Sequence, residues 1–295
     1  MSRNWEDTFR SWAKPPSETE QEKCGNAERA IRQAIRKSSS LDHRNINVFP
    51  QGSYRNRTNV RLDSDVDICI LCTDSFSYDL PNGMTPGNFG ITPATYWYPE
   101  YKNDVEDSLV SHFGRNSVKR GNKAFDVHEN TYRIDADVVP CFEYHWYNPN
   151  GTYLKGTMLH TDDGKRIINW PEQNYDNGVA KNRTTNNRFK GVVRILKRLR
   201  NEMADNGFKV SKSIPSYLIE CLVWNVPDKS FGHDAYINDV RDVLAYLFNN
   251  TLDSQDCNEW CEINCIKYLF RISQPWNYQQ VNKFLNITWQ YIGLE

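Results

Sequence analysis

Apolar residues along the chain follow two rhythms, one before about residue 165 and another after about 182. In the first part they alternate with polar ones in short runs, the period of a strand whose faces see different surroundings. Asp65-Val66-Asp67-Ile68-Cys69-Ile70 is one such run, with Val66 and Ile68 turned to a core and Asp65 and Asp67 sharing the opposite face. Thr131 to Phe142 is a second, anchored by Val138, Val139 and Phe142, and Val118 to Val127 reads as its paired strand. Thr157 to Thr161 and Lys165 to Trp170 form a hairpin around Asp162-Asp163-Gly164. Two helices interrupt the strands. One spans about 17 to 38, with Ser17 as its cap, Glu18, Glu20 and Glu22 at its start, and Ala30, Ile31, Ala34 and Ile35 as its stripe. The other spans about 100 to 113, and the Gly- and Pro-rich stretch 75 to 100 reads as a long connection.

In the second part the apolar period is helical. Arg188 to Met203 places Phe189, Val192, Val193, Leu196 and Leu199 on one side and bases on the other. Pro215 opens a helix burying Leu218, Ile219 and Leu222, and further helices are expected over Ile237 to Asn249, 257 to 271, and 279 to 291. Strands first and helices afterwards predict an α+β fold, a sheet lobe over residues 1–165 and a helical lobe over 166–295, with the substrate cleft between them.

Composition narrows the partners. The 295 residues hold 37 acids and 36 bases, a net charge of −1, which argues against a broad basic face for duplex DNA. There is no 18-residue apolar run and no apolar leader near Met1, so neither a membrane span nor secretion is expected. Of eight cysteines, Cys69, Cys72, Cys141 and Cys221 sit in apolar runs and read as core residues of a protein in reducing cytoplasm. Cys257, Cys261 and Cys265 would stack along the face of the helix expected there, as packing rather than a zinc site.

The chemistry lies in the first acidic strand and what precedes it. Gln51-Gly52-Ser53 is a turn whose N–H groups and hydroxyl suit a phosphate, followed by Asp65 and Asp67 on one strand face. Carboxylates that close repel each other unless a cation lies between them, and oxygen ligands suit Mg²⁺. Gripping a phosphate through two ions calls for a third acid on a neighbouring strand. Asp137, opening Asp137-Val138-Val139-Pro140, is that candidate, with Asp135 beside it. Metal plus phosphate cradle points to phosphoryl or nucleotidyl transfer.

This set resembles the polymerase-β-like nucleotidyltransferases, and within them the bacterial cGAS/DncV-like nucleotidyltransferases (CD-NTases) of clade E, the CdnE group. The closer resemblance is carried by Gln51-Gly52-Ser53-Tyr54 with Thr58-Asn59, Asp63-Ser64-Asp65-Val66-Asp67, and Ala136-Asp137-Val138-Val139. Asn169-Trp170-Pro171, Asn177-Gly178 with Ala180-Lys181-Asn182, and Pro215-Ser216-Tyr217-Leu218-Ile219-Glu220-Cys221-Leu222 extend it. The resemblance runs from about residue 20 to 275 and implies a triphosphate-binding lysine at Lys197. It also implies phosphate and base contacts from Ser216 and Tyr217, and pyrimidine selection by Asn169. It implies two Mg²⁺ (Mn²⁺ as the alternative ion) on Asp65, Asp67 and Asp137. The implied substrates are UTP and ATP, and the implied product is a uridine-containing cyclic dinucleotide of anti-phage signalling. A monomer and a cyclic-nucleotide-sensing effector are expected by analogy. Two other readings share the residues: an RNA-directed tailing or CCA-adding enzyme, and a catalytically silent nucleotide-binding module.

Overall fold

The computed structural model describes residues 3–60 and 65–294. Asp63 and Ser64 of the acidic motif lie outside the described residues. The chain forms two compact units: Ser17–Arg55 with Arg61–Glu172, and Met1–Pro16 with Asn56–Val60 and Gln173–Glu295. The last boundary along the chain falls between Glu172 and Gln173, not between 165 and 166. By packing, the N-terminal segment and five residues after the Gly-Ser turn group with the helices.

The first unit is built on a seven-stranded sheet. Its strands are β1 (Ile46–Pro50), β2 (Val66–Asp79), β3 (Val118–Arg120), β4 (Phe125–Val127), β5 (Ala136–Tyr147), β6 (Tyr153–His160) and β7 (Arg166–Asn169). They run in the order β1-β2-β5-β4-β3, with β6 on β5 and β7 on β6. β5 lies parallel to β2 along one edge; its other edge meets β4 over its first residues and β6 over its last. Val66, Ile68, Ile70 and Cys72, register partners of Ala136, Val138, Pro140 and Phe142, give the sheet one buried apolar face. Two helices cover it, α2 (Glu18–Arg36) through Ile31, Ala34 and Ile35, and α4 (Tyr98–Phe113) through Tyr101, Val105 and Leu109. Tyr101 stacks on Phe142 at 5.2 Å and donates its hydroxyl to the Ile70 carbonyl at 2.6 Å, so its polar tip is satisfied inside the core. Each such fully buried side chain contributes about 1.5–3 kcal/mol. Between β1 and β2 lies the one-turn α3 (Gly52–Asn56).

The strand expectations need three corrections. β2 continues to Asp79 through an irregularity between Cys72 and Phe76, so the connection begins later than residue 75. Val118 to Val127 is two short strands, β3 and β4, because the chain reverses at Gly121, whose N–H donates to the Ala124 carbonyl. β5 starts at Ala136, since Asn130 and Arg133 close a tight turn just before it.

The second unit holds α1 (Trp5–Trp12), α5 (Pro171–Thr184, from Gln173 onward), α6 (Arg188–Asp205), α7 (Lys209–Lys212), α8 (Ser216–Trp224), α9 (Tyr236–Asn250) and α10 (Tyr278–Ile292). Phe9, Val192, Leu196, Leu199, Leu218, Leu222, Val243, Leu247 and Phe284 meet in one core. The helix expected over 257–271 is absent. Asn264 accepts from the N–H groups of Ile266 and Lys267, and Asn225 clasps the Cys261 backbone on both sides. Those side-chain bonds compete with a helical ladder and hold the segment in turns. Cys257 is buried, Cys261 half-buried and Cys265 exposed, and without a helix no three-cysteine helix face forms. α1 and α5 were not expected: α1 is short, and α5 lacks an apolar stripe. No helix among the described residues is long and apolar enough to cross a membrane.

Candidate active site

The site begins where β1 turns back toward β2. The Gln51 N–H donates to the Asp67 carbonyl at 2.8 Å, latching the turn to the acidic strand. Gly52 has φ +63°, and a Cβ placed there would lie 2.2 Å from Asp67 Oδ2. Only glycine meets both demands, a left-handed backbone and a carboxylate pressed against it. Ser53 follows at the start of α3, half-buried. The phosphate-cradle candidates Gln51, Gly52 and Ser53 thus sit beside Asp67.

Register brings the acids together. Asp67 on β2 is the partner of Asp137 on β5, and Asp137 is the partner of Asp126 on β4. In-register residues share a sheet face, so three carboxylates lie in a row across three strands, opposite the face covered by α2 and α4. Asp65 stands two residues before Asp67 on the same side, exposed. Burial, then the nearby Asp65 and Asp126, push the Asp137 carboxyl up to about 6. Burial, then Asp135 and Asp126, also raise Asp65. Asp135 precedes β5, where its carboxylate accepts from the Glu129 N–H near His128. Asp126 was not singled out from sequence; its signal was the alternation Phe125-Asp126-Val127.

A hard divalent cation fits this donor set, since it would relieve the repulsion that raises Asp65 and Asp137. Among the described residues no three acidic, His or Cys side chains form a closed metal cage. Mg²⁺ is commonly held by one or two carboxylates, with water and substrate phosphate completing its shell.

Further along the same face the register continues from Asp137 to Glu143, from Glu143 to Thr157, and from Thr157 to Asn169. Asn169 therefore projects on the side of the acids, exposed at the end of β7. It is held by Trp170, which is buried against Tyr144 and Trp146. Gly156 admits that indole: a Cβ there would lie 2.9 Å from its ring. A groove of about 420 Å³ lined by Phe49, Arg55, Glu143, Lys155, Thr157 and Glu172, among others, opens in this unit. Arg55 donates twice to Glu172, at 2.8 and 2.7 Å, fixing one wall.

The remaining candidates belong to the helical unit. Lys197 is fully buried on α6, where its ammonium donates to Glu220 and to the Thr58 carbonyl at 3.1 Å. Arg194, one turn earlier, is also buried and donates to the Ala13 carbonyl at 2.8 Å. The side of α6 expected to carry solvated bases is thus partly interior. Ser216 starts α8 and accepts from Arg200. Tyr217, half-buried, has its hydroxyl within 3.0 Å of Glu262 and 3.2 Å of Asn174, and burial pushes its pKa well up. Lys181 pairs with Asp228 at 2.9 Å, and Asn182 accepts from the Lys190 N–H.

The mixed sheet, its row of acids beside a Gly-Ser turn and the separate helical unit define a nucleotidyltransferase of the polymerase-β-like α+β type. Residues 176–293 match the cGAS/DncV-like nucleotidyltransferase C-terminal helical domain. The chain is 51% identical to the cyclic dipyrimidine nucleotide synthase CdnE of Legionella pneumophila over 297 residues, 99% of each. It is 43% identical to the cyclic dipyrimidine nucleotide synthase CdnE of Cecembia lonarensis over 99% of each. The fold matches the Rhodothermus marinus CdnE c-UMP-AMP synthase solved with Apcpp and Upnpp, with TM-score 0.87, 29% identity and 98% of both chains covered. The chain belongs to the cGAS/DncV-like nucleotidyltransferases, in their CdnE group.

Proposed function

We propose that this enzyme joins two nucleoside triphosphates, UTP with UTP or ATP, into a cyclic dinucleotide by two successive nucleotidyl transfers that release pyrophosphate. The observation that carries this reading is the row Asp67, Asp137 and Asp126 facing the Gly52 turn, a concentration of negative charge where a triphosphate must be handled. The names of its relatives support the product class: dipyrimidine synthases at 51% and 43% identity, and a UMP-AMP synthase at 37%.

Asp65, Asp67 and Asp137 would hold Mg²⁺, or Mn²⁺ in its place, which supplies charge neutralisation at the phosphates and lowers the pKa of the attacking hydroxyl. The Gly52-Ser53 turn offers N–H groups and a hydroxyl to the donor triphosphate. Asp137, in register with Asp67, is the proposed acceptor for the ribose hydroxyl proton as the oxygen attacks the α-phosphate. Asn169 presents an amide donor and acceptor to a base edge, a pattern that complements uracil. Tyr217 offers a ring for stacking, typically about 1–3 kcal/mol per base, and Ser216 a hydroxyl for phosphate. Lys197 is assigned the support of the segment after the Gly-Ser turn, through Thr58. A second-messenger role in anti-phage signalling in the cytoplasm, read by an effector that senses the product, belongs to the same proposal by family analogy.

The test is incubation with Mg²⁺ and the four ribonucleoside triphosphates, each α-labelled in turn, followed by phosphatase. A phosphatase-resistant, uridine-labelled product is expected. Resistant product labelled by purines alone would discard the base assignment. Label appearing only on added RNA would favour the tailing reading, and tight nucleotide binding without pyrophosphate release the silent module.

A further inference from the structure

The turn that follows α9 carries a feature the nucleotidyl-transfer site does not use. Cys261 and Cys265, separated by one tight turn, bring their sulfurs to 3.5 Å, with the Cys261 thiol donating toward Cys265. The two differ in access and constraint. Cys261 is half-buried, and its N–H and carbonyl are both held by the Asn225 side chain, at 3.1 and 2.8 Å. Cys265 is exposed, adopts a left-handed backbone with φ +56°, and hangs from the turn by its N–H to the Glu262 carbonyl at 2.9 Å. The other thiols (Cys24, Cys69, Cys72, Cys141, Cys221 and Cys257) are buried. We propose that Cys265 and Cys261 form a reversible thiol–disulfide modification site whose co-reactant is a low-molecular-weight disulfide, and that its closure is transmitted to Tyr217 through Glu262.

An attacking thiol must be accessible and partly ionised, and a resolving thiol must lie close by. Cys265 meets the first demand. The hydrogen bond from Cys261, with a further contribution from Trp224, holds its thiol down at about 7 against the opposing effect of burial. Cys261 meets the second. In the first step the Cys265 thiolate attacks one sulfur of the small disulfide. That S–S bond breaks, one small thiol leaves and takes up a proton, and a mixed disulfide remains on Cys265. In the second step Cys261 gives its proton to solvent and attacks the Cys265 sulfur, expelling the second small thiol. The two cysteines are oxidised by two electrons and the small disulfide is reduced to two thiols.

Closure must bring the sulfurs from 3.5 Å to a bond of about 2.05 Å. Because Asn225 holds Cys261 on both sides, the mobile end is the turn 262–265. Glu262 begins that turn. Its buried carboxylate accepts from the Tyr217 hydroxyl at 3.0 Å, from Asn264 at 2.8 Å and from Gln274 at 2.9 Å. Moving Glu262 loosens the bond that fixes the Tyr217 ring. This link to nucleotide binding rests on the proposed role of Tyr217; the modification site itself does not.

The full chain would be incubated with oxidised glutathione at neutral pH, alkylated, and mapped by peptide mass spectrometry, with nucleotide-analogue affinity measured on the reduced and oxidised forms. The wild type is expected to show a 261–265 bridge before any other thiol reacts, Cys261→Ser a persistent mixed disulfide at Cys265, and Cys265→Ser neither. Modification of Cys265 no faster than the buried thiols, or a wild-type mixed disulfide that never resolves, would overturn the site. The bridged form should bind a triphosphate analogue about 3- to 10-fold more weakly, the scale of one ordinary hydrogen bond. Equal affinity in a fully bridged sample would overturn the link to Tyr217 alone.

Discussion

In the helical unit several buried or half-buried cations meet anions: Lys197 meets Glu220, Lys181 meets Asp228 at 2.9 Å, and Arg188 lies 3.6 Å from the fully buried Asp239, while the buried Arg194 is held by backbone carbonyls. On the acidic face of the sheet, Asp65, Asp67, Asp126 and Asp137 gather, and the charges that perturb Asp137 most are other carboxylates. The same unit pairs charge elsewhere, as Lys102 does with Asp162 at 2.8 Å, so the imbalance is local to these strands. A matched buried pair stabilises one arrangement of the chain, whereas a row of like charges costs stability and persists where a ligand will neutralise it. The contrast separates residues that hold the fold from residues available to a substrate.

Breaking the acidic row should have the largest effect on chemistry. Asp67→Asn or Asp137→Asn should reduce product formation by more than about 1,000-fold, with the thermal midpoint unchanged or raised. Retained synthesis in either variant would remove that residue from the reaction. Breaking a matched pair should act on the fold instead. Glu220→Gln leaves the Lys197 ammonium buried without its anion and should cost roughly 3–5 kcal/mol in chemical denaturation. The double variant Lys197→Met with Glu220→Leu should recover most of that loss. If it folds stably and still makes product, Lys197 is a supporting residue; if it folds stably and has lost triphosphate affinity, Lys197 contacts the nucleotide.

The pH dependence sharpens the same contrast. The folded-state pKa of Asp137 lies above the unfolded value near 4, so the native state binds the extra proton. Its favourable contribution is present below about pH 4 and is lost as pH rises through about 6, for a total of roughly 1–3 kcal/mol. Without divalent cation the wild type should therefore lose stability between pH 4.5 and 7 relative to Asp137→Asn. Parallel denaturation midpoints across that range would contradict the raised pKa. The smallest effect is expected at the far end of the acidic face. Asn169→Ser should shift incorporation from uridine toward purines by about tenfold without changing stability, because its side chain is exposed. An unchanged product ratio would return Asn169 to a role in ending β7.

Much of this was legible in the sequence, where a residue's neighbours along the chain decide its environment. The alternation around Asp65 and Asp67 placed both on one strand face, and Gly52 before Ser53 marked a turn that only glycine can make there. The periodic helices over 188–205, 236–250 and 278–292 emerged close to their expected bounds. What failed depended on partners distant in sequence or on side-chain bonds to the backbone. Asp126 belongs to the acidic row through its register with Asp137, which no local pattern prints. The burial of Lys197, expected through the resemblance to bind triphosphate, depends on Glu220 and Thr58, which lie far from it in sequence. The i, i+4, i+8 spacing of Cys257, Cys261 and Cys265 suggested a helix face, but Asn225 and Asn264 bind the backbone into turns.

Whether the acidic row is a cation site serving nucleotidyl transfer is decided by calorimetric titration of Mn²⁺ into the purified enzyme with a non-hydrolysable UTP analogue at pH 7.5. Saturable binding by the wild type is expected, lost in Asp67→Asn and Asp137→Asn and retained in the Lys197→Met, Glu220→Leu double variant. Equal Mn²⁺ binding by the wild type and both Asp variants would mean that the cation is held somewhere other than the row of like charges across β2, β5 and β4.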